Sequence, residues 1–124
     1  MMFRNILLVG FGGGIGSIAR YLCQRALGSW FLNPFPVGTF VVNVSGCLLI
    51  GLIHGIAVKH NILNPEWRLL LTTGFCGGFT TFSTFAYENA DLLRVGNFLY
   101  PALYISLSVL LGVAAVFAGT ALVR

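Results

Sequence analysis

Residues 5–19, 26–58, 69–87 and 95–123 contain no Asp, Glu, Lys or Arg, and the charges gather in the short intervals between these runs. A helix needs about 20 mostly apolar residues to cross the hydrocarbon core of a bilayer. The pattern predicts four spanning helices, roughly 4–27, 37–58, 67–94 and 97–123, in one all-α membrane domain, 1–124. Almost nothing is left over for a water-facing domain.

The third run departs from a plain apolar helix. Residues 72–85 hold three glycines, five threonines, one serine and four phenylalanines. Gly74, Gly77 and Gly78 lose much backbone freedom in a helix and favour breaking it. A break at membrane depth frees N–H and C=O groups where no water can satisfy them. It persists only if buried in protein, lining a polar cavity or holding an ion. The competing reading is a helix-packing face, for which Gly74-xxx-Gly78 has the right spacing. The density of glycine, hydroxyl and phenyl groups favours the break.

Composition removes the soluble alternatives. The chain of 124 residues is 57% hydrophobic and 8% charged, against about 25% charged in soluble domains. Its net charge of +4 comes from scattered bases near helix ends, which read as interfacial anchors rather than a nucleic-acid surface. With four spans, Arg4, Lys59, Arg68 and Arg124 share one side, and Arg20, Arg25 and Arg94 the other. That balance hardly selects an orientation, so a chain inserted both ways and pairing antiparallel is one outcome. A single copy leaves Asn43, Arg20 and the hydroxyl tract facing lipid, so an oligomer is expected. Cys23, Cys47 and Cys76, without close spacing, read as small buried hydrophobes.

In chain order, the apolar N-terminus imitates a signal peptide but is read as a retained span. Gly14-Ile15-Gly16-Ser17-Ile18-Ala19 matches a dinucleotide fingerprint, but the first acid is Glu66, far beyond the ribose-binding position. Close helix contact through Gly10-xxx-Gly14 and Gly12-xxx-Gly16 is favoured instead. Arg20 either snorkels to headgroups, the favoured reading, or lines an aqueous vestibule. Asn33-Pro34-Phe35-Pro36 is a turn, and Asn64-Pro65 is a second, followed by Trp67 as an interfacial anchor. Thr39, Asn43, Cys47, Ile50 and His54 share one face of the second span. Asn43 serves there as inter-helix glue or as a pore group. Beyond the break, Phe82 and Phe85 stack on one side, with Thr81, Thr84 and Glu88 on an adjacent stripe. Asp91 and Arg94 can pair at i, i+3. Tyr100, Tyr104 and Ser108 form a polar stripe on the last span.

An enzyme reading lacks parts, since the apolar spans hold no carboxylate pair, metal-ligand cluster or nucleophile–base pair. They hold amide N–H groups, hydroxyls and phenyl edges, the positive ends of dipoles, which suit an anion. Carbonyls freed by a break suit a small cation.

These features resemble the Fluc (CrcB) fluoride channels across the whole chain. The resemblance is carried by Gly16-xxx-Arg20, by Gly38-Thr39 and Asn43, and by the tract Thr73-Gly74-Phe75-Cys76-Gly77-Gly78-Phe79-Thr80-Thr81-Phe82-Ser83-Thr84-Phe85. It implies an antiparallel, dual-topology homodimer in the inner (plasma) membrane with two fluoride pores. The third helix would be broken at mid-membrane. Phe82 and Phe85 would present ring edges to fluoride, and Asn43 would donate its amide. Thr39, Ser83, Thr84, Tyr104 and Ser108 would supply hydroxyls, and Arg20 would stand in a vestibule. Gly77 and Thr80 would give backbone carbonyls from both subunits to one structural sodium ion. Fluoride would leave the cytoplasm passively. The alternatives are a small multidrug exporter, which relies on an acid in its first helix that is absent here, and a non-transporting assembly subunit.

Overall fold

The computed structural model describes residues 1–30 and 34–123, the side chain of Trp30 excepted. Asn33 of the expected first turn and Arg124 lie outside them. Among the described residues the fold is all-α. Helix α1 (Met2–Trp30), α2 (Val37–His60) and α6 (Leu99–Leu122) are long and unbroken. They are apolar enough to cross a membrane, with mean hydropathies of 1.5, 2.1 and 2.2.

The third apolar run folds in pieces. Helix α3 (Pro65–Leu69) leads into a π-helical stretch, Leu70–Cys76, and then into α4 (Gly77–Phe79). The chain is extended at Thr80 (φ −90°, ψ 159°) and Thr81 (φ −150°, ψ 120°). It resumes as α5 (Phe82–Arg94).

The break therefore exists, but it falls at two threonines and not at the glycines. β-Branched threonine accepts extended backbone readily. Thr81 also caps the helix that follows, its Oγ1 accepting the Thr84 N–H at 3.2 Å. The glycines remain helical and serve close approach instead. A Cβ on Gly78 would meet the backbone of Gly13, and one on Gly16 would meet the Phe75 carbonyl and, at 2.9 Å, the Phe79 nitrogen. The break and the glycine packing face, weighed above as alternatives, coexist two residues apart, at Thr80 and Gly78. Gly12 and Gly16 make the expected contact with this segment. Gly10 and Gly14 do not, since nothing lies within 4 Å of a Cβ at either position.

A second backbone-close seam joins α2 to α6, where Gly51 lies against Val116 and Gly119 against Leu48 and Leu52. The loops end helices by specific means. Asn64 accepts the Trp67 N–H at 2.8 Å, with Pro65 at the first position of α3. At the end of α5, Gly96 takes φ +85°. Its N–H reaches the Leu93 carbonyl at 3.0 Å, and the Asn97 N–H reaches Leu92 at 2.9 Å, a Schellman closure. Arg4 pairs with Glu66 and so ties the start of α1 to α3. Arg94 pairs with Asp91 at 3.2 Å as the spacing predicted.

Candidate functional site: the break and its polar lining

The break releases backbone groups, and side chains from two other helices take them up. Thr81 is gripped at both ends by Asn43 of α2. The Asn43 Nδ2 donates to the Thr81 carbonyl at 3.1 Å, and its Oδ1 accepts the Thr81 N–H at 2.8 Å. In a continuous helix that N–H would have bonded the Gly77 carbonyl. The Gly78 carbonyl, whose helical donor would have been Phe82, accepts the Arg20 Nε–H of α1 at 3.0 Å. Thr80 keeps to the helix before it, its N–H and its hydroxyl both donating to the Cys76 carbonyl at 3.0 and 2.9 Å.

On the far side of the break, Phe82 and Phe85 lie with ring centroids 5.8 Å apart and planes at 40°. Phe85 meets Tyr104 edge to face at 4.8 Å. Tyr104 has no exposed surface and also packs on Phe35, with centroids 5.3 Å apart. Phe82 points away from the rest of the chain and is 78% exposed. Ser83 is exposed too, its hydroxyl 3.4 Å from that of Thr81.

A carboxylate stands among these groups. The Thr39 hydroxyl donates to Glu88 Oε2 at 2.8 Å, and the Tyr104 hydroxyl donates to Glu88 Oε1 at 2.8 Å. The Gln24 Nε2 donates in turn to the Thr39 Oγ1 at 3.0 Å. Gln24, Thr39, Thr84 and Glu88 line one cavity of about 400 Å³ that opens beside Pro34 and Pro36. One turn along α6 from Tyr104, the Ser108 Oγ is buried without a hydrogen-bond partner among the described residues.

The structure thus brings Thr39, Asn43, Thr84, Phe85 and Tyr104 around the start of α5. Phe82 and Ser83 lie on its outer side, and Ser108 continues the same face of α6. Arg20 reaches the end of α4. Gly77 and Thr80 border a separate open groove of about 490 Å³, shared with Cys47, Thr73 and Cys76. Gln24 is the member that sequence reasoning left out, and Glu88 was placed on its stripe without a partner. The position of Gln24 one turn after Arg20 was the available signal.

Chemically, the break sets an amide, hydroxyls and ring edges around one short stretch of otherwise apolar protein. That lining can replace part of an anion's hydration shell, while Glu88 competes for two of its hydroxyl protons.

Residues 7–120 match the family described as CrcB-like protein, Camphor Resistance (CrcB). The chain belongs to the CrcB family. It is 51% identical over 124 residues to the fluoride-specific ion channel FluC of Chlorobaculum tepidum, covering 100% of this chain and 98% of that one. The FluC of Prosthecochloris aestuarii is 48% identical over 122 residues, 98% of this chain and 94% of the other. That of Flavobacterium psychrophilum is 46% identical over 116 residues, 94% of each. Like the family, the protein crosses the membrane several times.

Proposed function

We propose that this chain is the subunit of a fluoride-specific channel in the cell's inner membrane, which lets cytoplasmic fluoride leave passively. The observation that carries the reading is the break at Thr80–Thr81. It gathers the Asn43 amide, the hydroxyls of Thr39, Thr84 and Tyr104 and the rings of Phe82 and Phe85 around one short stretch. Its support is the chain-long similarity to relatives named as fluoride-specific channels. Asn43, Phe82, Phe85, Ser83, Thr84, Thr39, Tyr104 and Ser108 form the path, with Arg20 at its approach. Hydrogen fluoride crosses membranes uncharged and ionises inside. A passive pore then lets the membrane potential, about 2.3 kcal/mol per charge per 100 mV, expel the anion.

In this reading the third run, 67–94, is also a span, the third of four, broken at mid-membrane, and two copies associate antiparallel. Exposed Phe82 and the open groove at Gly77 support a second copy, because either would otherwise face lipid. The nearly balanced bases support insertion both ways.

A structural sodium ion fits the groove chemically. The Gly77 carbonyl has lost its helical donor to Asn43, and Thr80 lines the same groove. Carbonyl oxygens suit a small hard cation, and a second copy would double the set. When bound, the ion would neutralise acceptors that a dry interface leaves bare. The chain's own part is to hold the Gly77 carbonyl free of a helical donor.

One observation favours the exporter alternative, namely the half-buried acid Glu88. It stands on α5, however, bonded to α2 and α6, and not on α1. Fluoride efflux from liposomes holding the purified protein separates the readings. A channel releases fluoride only when a potassium ionophore relieves the charge left behind. Absence of fluoride release, or release without the ionophore, would defeat the proposal.

A further inference from the structure

The break is pinned from both sides by different helices. Asn43 of α2 holds Thr81 beyond it, and Arg20 of α1 holds Gly78 before it. Helix α1 touches the backbone of the segment before the break through Gly12, Gly13 and Gly16. Arg20 is the next residue on that face, four positions after Gly16. Its side chain therefore starts where backbone contact stops and reaches the last carbonyls of α4.

The geometry points to Arg20 as a positioning residue for the break, acting through its Nε–H on the Gly78 carbonyl and not only through its charge. With Gly78 fixed, the direction in which the chain leaves α4 is fixed, and with it the placing of Phe82 and Phe85. The inference rests on the channel reading above and deepens it. A vestibule cation attracts anions from anywhere near the mouth. A strut must have an N–H at one depth.

Two neutral substitutions distinguish these roles. Glutamine carries its amide nitrogen as many bonds from Cα as arginine carries Nε, and asparagine is one bond short. In liposomes at high salt, where exposed charge is screened, Arg20→Gln should keep fluoride flux within about threefold of native. Arg20→Asn should lose about tenfold or more, since the Gly78 carbonyl is left without its donor and the barrier rises accordingly. Equal losses in both variants, shrinking as salt is raised, would assign Arg20 to charge alone and overturn the strut. Native flux in both would overturn it as well. If Arg20→Asn does not assemble, Arg20→Gln decides by itself, a tenfold loss at high salt being contrary. Should the native protein carry no fluoride, the channel reading fails separately. The strut is then read from amide exchange at Thr84 and Phe85, which is slow in the native and Gln proteins and faster in Asn.

Discussion

Asn43 uses its carbonyl and one N–H on Thr81, and an amide nitrogen has a second N–H to offer. Glue and pore group, the two roles open to it in the sequence, are therefore compatible. Asn43→Asp keeps an acceptor for the Thr81 N–H but leaves the Thr81 carbonyl without a donor, a cost of about 1–3 kcal/mol. It also places a potential negative charge where an anion passes. Fluoride flux should fall by about tenfold or more, and the first amides of α5 should exchange faster. Native flux with native exchange would remove Asn43 from both roles. That Asn43 matters was legible as one amide inside an apolar run. Its partner was not, because periodicity assigns a face and not the backbone atom of another helix opposite it. The hydroxyls of Thr39 and Tyr104 were read as facing an anion. They face the carboxyl group of Glu88, which lies 49 and 16 positions away in sequence.

The broken third helix divides its labour between residue types. Glycine supplies approach to α1, and threonine supplies the extended step and the new cap. The sequence made both features visible within 72–85 but not their order, since glycine disfavours helix and permits close packing equally well. Only the position of α1 decides between them. The seam gives a paired prediction for thermal denaturation in detergent. Gly16→Ala drives a Cβ into the Phe75 carbonyl and the Phe79 nitrogen, so it should destabilise by about 1–3 kcal/mol and slow flux with it. Gly14→Ala meets nothing within 4 Å and gains helix propensity, so it should be neutral or slightly stabilising. The reverse order would mean that α1 is rotated about its axis. The caps at Asn64 and Gly96 follow from local chemistry that the span boundaries already bracketed.

At the scale of the whole molecule, the three long apolar helices α1, α2 and α6 were legible from the charge-free runs. The proposed second copy is a matter of surfaces that hydropathy does not resolve. Cysteine labels placed at either terminus, in a background without Cys23, Cys47 and Cys76, should be found on both sides of the membrane. Labelling on one face alone would reject the antiparallel pair. Gly77 is exposed in the protomer, where a Cβ would lie 3.8 Å from the nearest atom, the Thr72 carbonyl oxygen. Gly77→Leu should therefore spare the fold of the chain while costing the proposed pair and the proposed sodium, whereas Thr80→Ser, which keeps the main-chain carbonyl, should retain both. A Gly77→Leu protein that still pairs and binds sodium would detach the ion from this groove. Whether fluoride passes the break beside the two phenyl rings is decided by fluoride and chloride efflux from liposomes holding either the native protein or the Phe82→Ile, Phe85→Ile double variant, both verified as pairs. An aliphatic side chain of similar bulk has no electropositive edge. Native protein should release fluoride and retain chloride, and the variant should release neither. Equal fluoride release from the two would place the path elsewhere in the molecule.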